Sequence, residues 1–354
     1  MRVLKLNCKN FRNIKEAELI PCDSMNVICG ENAQGKTNLL EAIWLFTGAK
    51  SFRGNKDNLF IRFGENKANC SLIFESEGIE KEASINISEK REASLNGNKL
   101  NSPSLLAGNF NAIIFSPNDL RLLTDGPNLR RKFLDTAIGQ LFPLYLEILK
   151  KYSRAVIQRN RLIKEYKYDS TVSIMLDVFE DEIAENGKKI IKYRERYIER
   201  LNEFLPIIYD GISAGKEILE TEYIKSSNAD NLKEELIFSR KEDMLSGVTS
   251  IGPHRDDILF KINGYNARNF GSQGQKRSVA LSVKLAEAKI IENNIGESPS
   301  LLLDDIMSEL DPRRQDFILN HIEGMQTFLT CCDPSNYKNL KAGKIINVKE
   351  GKIF

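Results

Sequence analysis

The sequence predicts an α/β fold, a mixed sheet with helices plus antiparallel β-strands carrying an inserted helical lobe, and three observations predict it. The first is GENAQGKT at residues 30–37, set between the apolar run Met25–Cys29 and an apolar-periodic run (Leu39, Leu40, Ile43, Trp44, Phe46). Strand, glycine-rich loop and helix follow in that order. The second is alternation, since MRVLKLNCKNF, NCSLIFES and EASINIS near the start, and residues 218–224, 257–262 and QTFLTCC later, read as strands. The third is a change of period in the middle of the chain.

Taken in order, the N-terminal strands include a two-residue hairpin turn at Asn96-Gly97, and a second such turn stands at Asn263-Gly264. From about Asp119 the period becomes helical. Leu141, Tyr145, Ile148, Tyr152, Ala155, Leu162 and Tyr166 form one stripe, and Leu176, Phe179, Ile183, Ile190, Tyr197, Leu201 and Phe204 form another. They predict two long antiparallel helices, joined near residues 167–171 and ended by Pro206. A loop leads into an amphipathic helix in FGSQGQKRSVALSVKLAEAKII, and SPSLLLDD reads as a buried strand. The expected organisation is one discontinuous domain, 1–119 plus 245–354, with 120–244 as the inserted, mainly helical lobe.

Composition narrows the classes. A chain of 354 residues with 41% hydrophobic content can bury a sizeable core. No run approaches the roughly 18 consecutive apolar residues of a membrane span, and the N-terminus alternates where a leader would show a charged stretch and an apolar block. A cytoplasmic protein is expected, with no membrane partner. Cys8, Cys22, Cys29 and Cys70 are scattered, Cys331 and Cys332 are adjacent, and no C-x-x-C pair exists to bind zinc. Reduced, mostly buried thiols are the expectation. The net charge is only +2, but residues 121–167 hold eleven Lys or Arg against four acids, a local +7. Residues 168–187 then carry six acids and no base.

The chemistry begins at the loop. Gly30, Glu31, Asn32, Ala33, Gln34, Gly35, Lys36 and Thr37 match G-x-x-x-x-G-K-[ST], whose backbone N–H groups close around phosphate oxygens. Lys36 would reach the outer phosphates, and the Thr37 hydroxyl would ligate Mg²⁺. A glycine-rich turn with a lysine at the helix start is the plainer alternative. The strand ending in Asp304 and Asp305 argues against it: the first carboxylate can hold Mg²⁺, and the second can orient or deprotonate an attacking water. Asp304, Asp305 and Lys36 are therefore the candidate catalytic residues, with Thr37 and Asp304 as metal ligands and ATP and Mg²⁺ as cofactors.

GSQGQ precedes the paired aspartates by about thirty residues and opens a helix. Ser272, Gln273, Gly274 and Gln275 resemble the signature motif of ABC-type ATPases, and Ser308, Glu309, Leu310 and Asp311 resemble their D-loop. The resemblance implies an ABC-type ATPase head in which the signature faces the nucleotide of a second subunit, so that ATP joins two copies. LKLNCKNFRN, IIFSPNDLRLLTDGPNLRRKFLD, SIGPHRDD and LLLDDIMSELD extend the likeness over nearly the whole chain to the RecF family, bacterial recombination and replication-repair ATPases related to SMC proteins.

What that resemblance implies is an ATP-dependent homodimer that binds duplex DNA at gaps and works with RecO and RecR to help RecA load, on the nucleoid. Arg130, Arg131, Lys132, Lys150, Lys151, Arg154, Arg159, Arg161 and Lys164 are the candidate DNA-binding cations; a solvated helix face is the plainer reading of such a run. Two departures from the ABC pattern point to slow hydrolysis and a switch. Asp305 stands where many relatives carry glutamate, and Thr330, Cys331 and Cys332 stand where many carry a histidine. His254, beside Arg255 and Asp256, reads as a structural loop residue. The rival is an ATP-driven motor or DNA translocase, which the shorter base and the missing histidine disfavour, and no further carboxylate or histidine cluster supports a nuclease.

Overall fold

The computed structural model describes residues 1–54, 57–165, 172–333 and 343–354. A six-stranded sheet runs, edge to edge, through Lys352–Ile353, Gly343–Lys349, Met25–Cys29, Thr327–Cys331, Ser300–Leu303 and Ala112–Phe115. Its last five strands are parallel, and only Lys352–Ile353 is antiparallel. Met25–Cys29, Thr327–Cys331, Ser300–Leu303 and Ala112–Phe115 are mostly buried because both faces are covered, whereas Gly343–Lys349 and Lys352–Ile353 are largely exposed. Alternate residues feed two different cores: Val27, Ile113, Leu301, Leu303 and Leu329 point to one, Ile28, Ile114, Leu302 and Phe328 to the other.

The second core is closed by the helix Lys36–Leu45 and by an antiparallel sheet ordered Ile14–Leu19, Arg2–Phe11, Ala68–Ser76, Ile79–Ile87, Arg91–Leu95 and Asn98–Lys99. Here burial alternates along Ala68–Ser76, as expected for a sheet with one dry face. The Asn96-Gly97 turn has both residues at positive φ, 48° and 77°. The other core is closed by helices, Pro127–Leu141, Pro143–Glu165, Val172–Ser213 and Gln273–Ile295, and by a three-stranded sheet of Leu219–Ile224, Asp257–Ile262 and Tyr265–Asn266. Asn263-Gly264 turns the last hairpin at φ 50° and 80°.

The two long helices are antiparallel. Tyr145 meets Arg194 and Arg159 meets Glu180, so rising numbers on one match falling numbers on the other. Their joint, residues 167–171, and Tyr166 of the first stripe lie outside the described residues.

Pro206 does not end the second helix, which runs on to Ser213. A proline inside a helix costs about 3 kcal/mol, but burying a large apolar side chain recovers roughly 1.5–3 kcal/mol. Ile208, Tyr209 and Ile212 are all buried beyond it. The turn actually comes where Ala214 and Gly215 take positive φ. The helix Leu232–Ser246 has no counterpart among the elements the periodicity predicts. Its buried stripe is Leu232, Leu236, Ser239 and Asp243, half of it polar, while Phe238 and Leu245 are exposed. Among the described residues no helix is long and apolar enough to cross a membrane.

Candidate functional site

The glycine-rich loop leaves the end of Met25–Cys29, the middle of the parallel sheet. The crevice at the carboxyl ends of such strands is where ligands bind in open α/β sheets. Gly30 donates its N–H to the Cys331 carbonyl at 3.3 Å, and a Cβ there would lie 2.3 Å from the Val348 carbonyl oxygen. Gly35 takes φ +114°, a conformation that strains any other residue. Lys36 and Thr37 then open the helix, with backbone N–H groups at its N-terminus facing the loop.

The side chains converge. The Lys36 ammonium donates to the Gly30 and Glu31 carbonyls at 2.6 and 2.9 Å. Thr37 Oγ1 donates to Asp304 Oδ1 at 2.8 Å, and Thr330 Oγ1 donates to the same oxygen at 3.0 Å. Burial pushes the Asp304 carboxyl above its ordinary range, against the two hydroxyls that favour its anion. A divalent cation at the Thr37–Asp304 edge would meet hard oxygen donors of the kind Mg²⁺ takes.

Asp305, by contrast, is exposed and sits at φ +51°. Its N–H donates to Thr330 Oγ1 at 2.9 Å, and its carboxylate accepts from Ser308 Oγ at 3.3 Å. The two neighbouring aspartates thus face different surroundings. His254 is the structural residue expected from its loop: its ring nitrogens meet Tyr152 Oη at 2.5 Å and the Thr249 carbonyl at 3.0 Å, and burial pulls its pKa down to about 4.

The signature residues lie elsewhere. Ser272 caps the helix Gln273–Ile295, accepting from Gln275 N at 3.2 Å while Gln275 Oε1 accepts from Ser272 N at 2.7 Å. Ser272 and Gln273 are exposed, and Gln275 Nε2 donates to Glu217 at 2.7 Å. Among the described residues none of these hydrogen bonds reaches the phosphate loop. The D-loop segment follows the aspartates: Asp311 caps the helix Pro312–His321, and Leu310 is buried.

Several further residues hold the site together. Asn13 donates to the Ala33 carbonyl at 3.0 Å and accepts from Asn38 at 2.7 Å, clamping the loop from the first hairpin. Glu350 and Gly351 backbone N–H groups hold Gln34 from the C-terminal hairpin, at 2.5 and 2.9 Å. Arg12 makes a two-pronged pair with buried Glu41, at 2.9 and 3.0 Å, tying the helix to the turn of the same hairpin. Arg277 donates to the Glu309 carbonyl at 2.7 Å and Arg314 to the Gly274 carbonyl at 2.9 Å, so two hydrogen bonds tie the signature segment to the D-loop segment. Arg12 and Asn13 close the stretch LKLNCKNFRN and Arg277 closes FGSQGQKR, but no local pattern names their partners, which lie 20 residues or more away.

The basic segment divides. Arg130 is buried, paired with Asp257 at 2.5 and 3.0 Å and donating to the Leu122 and Asp125 carbonyls. Arg159 is wholly buried between Glu180 and Asp243. Arg159 cannot meet a phosphate without stranding two buried carboxylates, and Arg130 is itself buried against part-exposed Asp257, which corrects their expected place on a DNA surface. Arg131 donates to the Asp256 carbonyl and to Asn128, and Arg161 pairs with Glu165 at 2.7 Å. Lys132, Lys150, Lys151, Arg154 and Lys164 are exposed. Lys151 and Arg154 share a groove with Glu182 and Glu185.

Residues 2–352 match the family model described as the RecF/RecN/SMC N terminal domain. The DNA replication and repair protein RecF of Agathobacter rectalis is 37% identical over 357 residues, covering 100% of this chain and 99% of its own length. That of Bacillus cereus strain AH820 is 40% identical over 368 residues, covering 100% and 98%. A solved structure described as the recombination mediator protein RecF with ATP, in the RecFOR pathway, superposes with a TM-score of 0.93 at 36% identity, over 100% of this chain and 97% of that one. The Smc head domain of Pyrococcus furiosus shares the fold at a TM-score of 0.57 and 19% identity, over 100% and 96%. With the phosphate loop, the paired aspartates and the signature helix in one sheet architecture, and these likenesses running end to end, the chain belongs to the RecF family of DNA replication and repair proteins.

Proposed function

We propose that this chain is an ATP-gated DNA clamp: ATP joins two copies on duplex DNA at single-strand gaps, and slow hydrolysis releases them. The observation that carries the reading is the Thr37–Asp304–Thr330 cluster beside Lys36, at the carboxyl ends of the central strands, with Ser272 and Gln273 exposed at a helix N-terminus that makes no hydrogen bond to that cluster. Residues 30–37 would hold the triphosphate, Thr37 and Asp304 would hold Mg²⁺, and Ser272–Gln275 of one copy would close on the phosphates of the other. The metal, when bound, neutralises phosphate charge. Asp305 would position the attacking water; as the shorter acid, exposed and turned into the left-handed region, it suits a slow step. The same reading keeps 120–244 as a helical lobe inserted into the head formed by 1–119 and 245–354, and takes RecR and RecO as partners in promoting RecA loading, from the RecFOR pathway named for the solved relative.

The test is dimerisation and duplex binding without nucleotide, with ATP and with ADP, compared with Lys36→Met. Losing a charge-assisted contact worth about 1.5–3 kcal/mol should weaken ATP binding roughly 10- to 150-fold and remove the ATP-dependent dimer with it. Wild-type ATP affinity in that variant would end the assignment.

Duplex binding has its own signature. If Lys150, Lys151 and Arg154 meet phosphates, log affinity falls linearly with log salt, at about −0.9 per phosphate neutralised. Lys150→Ala/Lys151→Ala/Arg154→Ala should flatten that slope by about one for each phosphate no longer neutralised, whatever the DNA sequence. A slope equal to the wild type's would move the DNA surface away from these three cations. ATP should strengthen the binding in both proteins, because a dimer brings two such surfaces to one duplex.

A further inference from the structure

Three of the six cysteines gather at the phosphate loop. Cys29 immediately precedes Gly30, Cys331 is its register partner on the adjacent parallel strand, and their sulfurs lie 3.0 Å apart as free thiols. Both are buried, and burial pushes both thiols up, so they remain protonated and shielded. Cys332 differs. It is exposed, its thiol donates to Asn32 Oδ1 of the loop at 3.1 Å, and its sulfur accepts from the Lys36 ammonium at 3.5 Å. An accessible sulfur facing a cation is the environment in which thiols react, whereas buried apolar thiols are inert.

We propose that Cys332 is a peroxide-modifiable thiol bordering the nucleotide site, whose oxidation closes the phosphate loop and which bound nucleotide protects. The inference rests on the reading that residues 30–37 hold ATP. In the step, Cys332 sulfur attacks one peroxide oxygen, the S–O bond forms and the O–O bond breaks. Sulfur is oxidised by two electrons to the sulfenic acid, and the departing hydroxide takes up the thiol proton and leaves as water. The new oxygen stands beside Lys36 and is a stronger acceptor than the sulfur it caps. It therefore competes with phosphate for the ammonium and fills space at the loop. Triphosphate in the loop would occupy Lys36 and cover the sulfur, which makes modification and binding mutually exclusive.

The test treats the reduced full-length protein with hydrogen peroxide, with and without ATP, traps sulfenic acid with dimedone and maps it by mass spectrometry. Cys332 should label ahead of Cys8, Cys29, Cys70 and Cys331, and ATP should suppress that labelling. Without dimedone, peroxide should weaken ATP binding about ten-fold or more, dithiothreitol should restore it, and the ratio of treated to untreated affinity should be near one in Cys332→Ser. No label at Cys332, labelling indifferent to ATP, or an equal loss in Cys332→Ser would overturn the inference. Reversal by dithiothreitol in the wild type stands as the second readout if the variant does not fold. An untreated protein that fails to bind ATP overturns the nucleotide reading itself; an untreated binder whose affinity survives sulfenylation overturns the thiol inference alone.

Discussion

Replacing Ser272 with arginine is expected to abolish ATP-dependent dimerisation while the monomer still binds ATP. Ser272 is exposed at the N-terminus of the helix Gln273–Ile295, where unpaired N–H groups and the helix dipole favour an anion. In the proposed closed dimer that anion would be the partner's triphosphate, and the guanidinium side chain would fill the space it must enter. Arginine also removes the N-cap that Ser272 supplies to Gln275, at a cost of about 1 kcal/mol, so fraying of the helix is a competing cause. Ser272→Asp separates the two. Aspartate caps as well as serine but sets a negative charge against the phosphates, so it too should prevent the dimer without loss of stability. Sedimentation with ATP is the measurement, and an unchanged dimer in both variants would rule out the cross-subunit geometry.

Arg159→Met is expected to destabilise the fold by about 3–5 kcal/mol, the cost of leaving buried carboxylates without their partner. Arg159 donates to Glu180 at 3.0 and 3.1 Å, to Asp243 at 2.7 Å and to Thr249 Oγ1 at 2.9 Å, and all three charged side chains are fully buried. The network joins both long helices to the helix Leu232–Ser246 and to the loop before SIGPHRDD. Arg240 also donates to Glu180, so Asp243 is the group left most vulnerable to the loss. Arg159→Met/Asp243→Leu should therefore be less destabilised than the sum of its single variants. The denaturant midpoint of the four proteins is the measurement; strict additivity would show that the pair does not act as a unit.

The division between the buried arginines and the exposed lysines shows what a linear reading could reach. Residues 30–37, the strand before them, the helix after them and the signature helix were legible because their chemistry is local: loop, cap and apolar period are written in consecutive residues. Asn96-Gly97 and Asn263-Gly264 were legible for the same reason, since a two-residue turn is decided by the two residues in it. Charge was not. Arg130, Arg154 and Arg159 look alike in the sequence, yet Arg130 is buried against Asp257, Arg159 is enclosed by Glu180 and Asp243, and Arg154 stays exposed in a groove that Glu182 and Glu185 also line.

What the sequence by itself determined is the set of parts: a phosphate loop between strand and helix, two aspartates ending a buried strand, a capped signature helix and two long amphipathic helices. What only the tertiary structure decided is their company. Pro206 stays inside its helix because the buried residues beyond it outweigh one lost hydrogen bond and a ring clash. Thr330 becomes a partner of Asp304, and Asn13 and Gly351 become clamps on the loop, through hydrogen bonds spanning tens to hundreds of residues. Propensity and periodicity act over a turn or a strand, whereas burial and ion pairing are fixed by which distant segment arrives alongside, and no local pattern encodes that arrival.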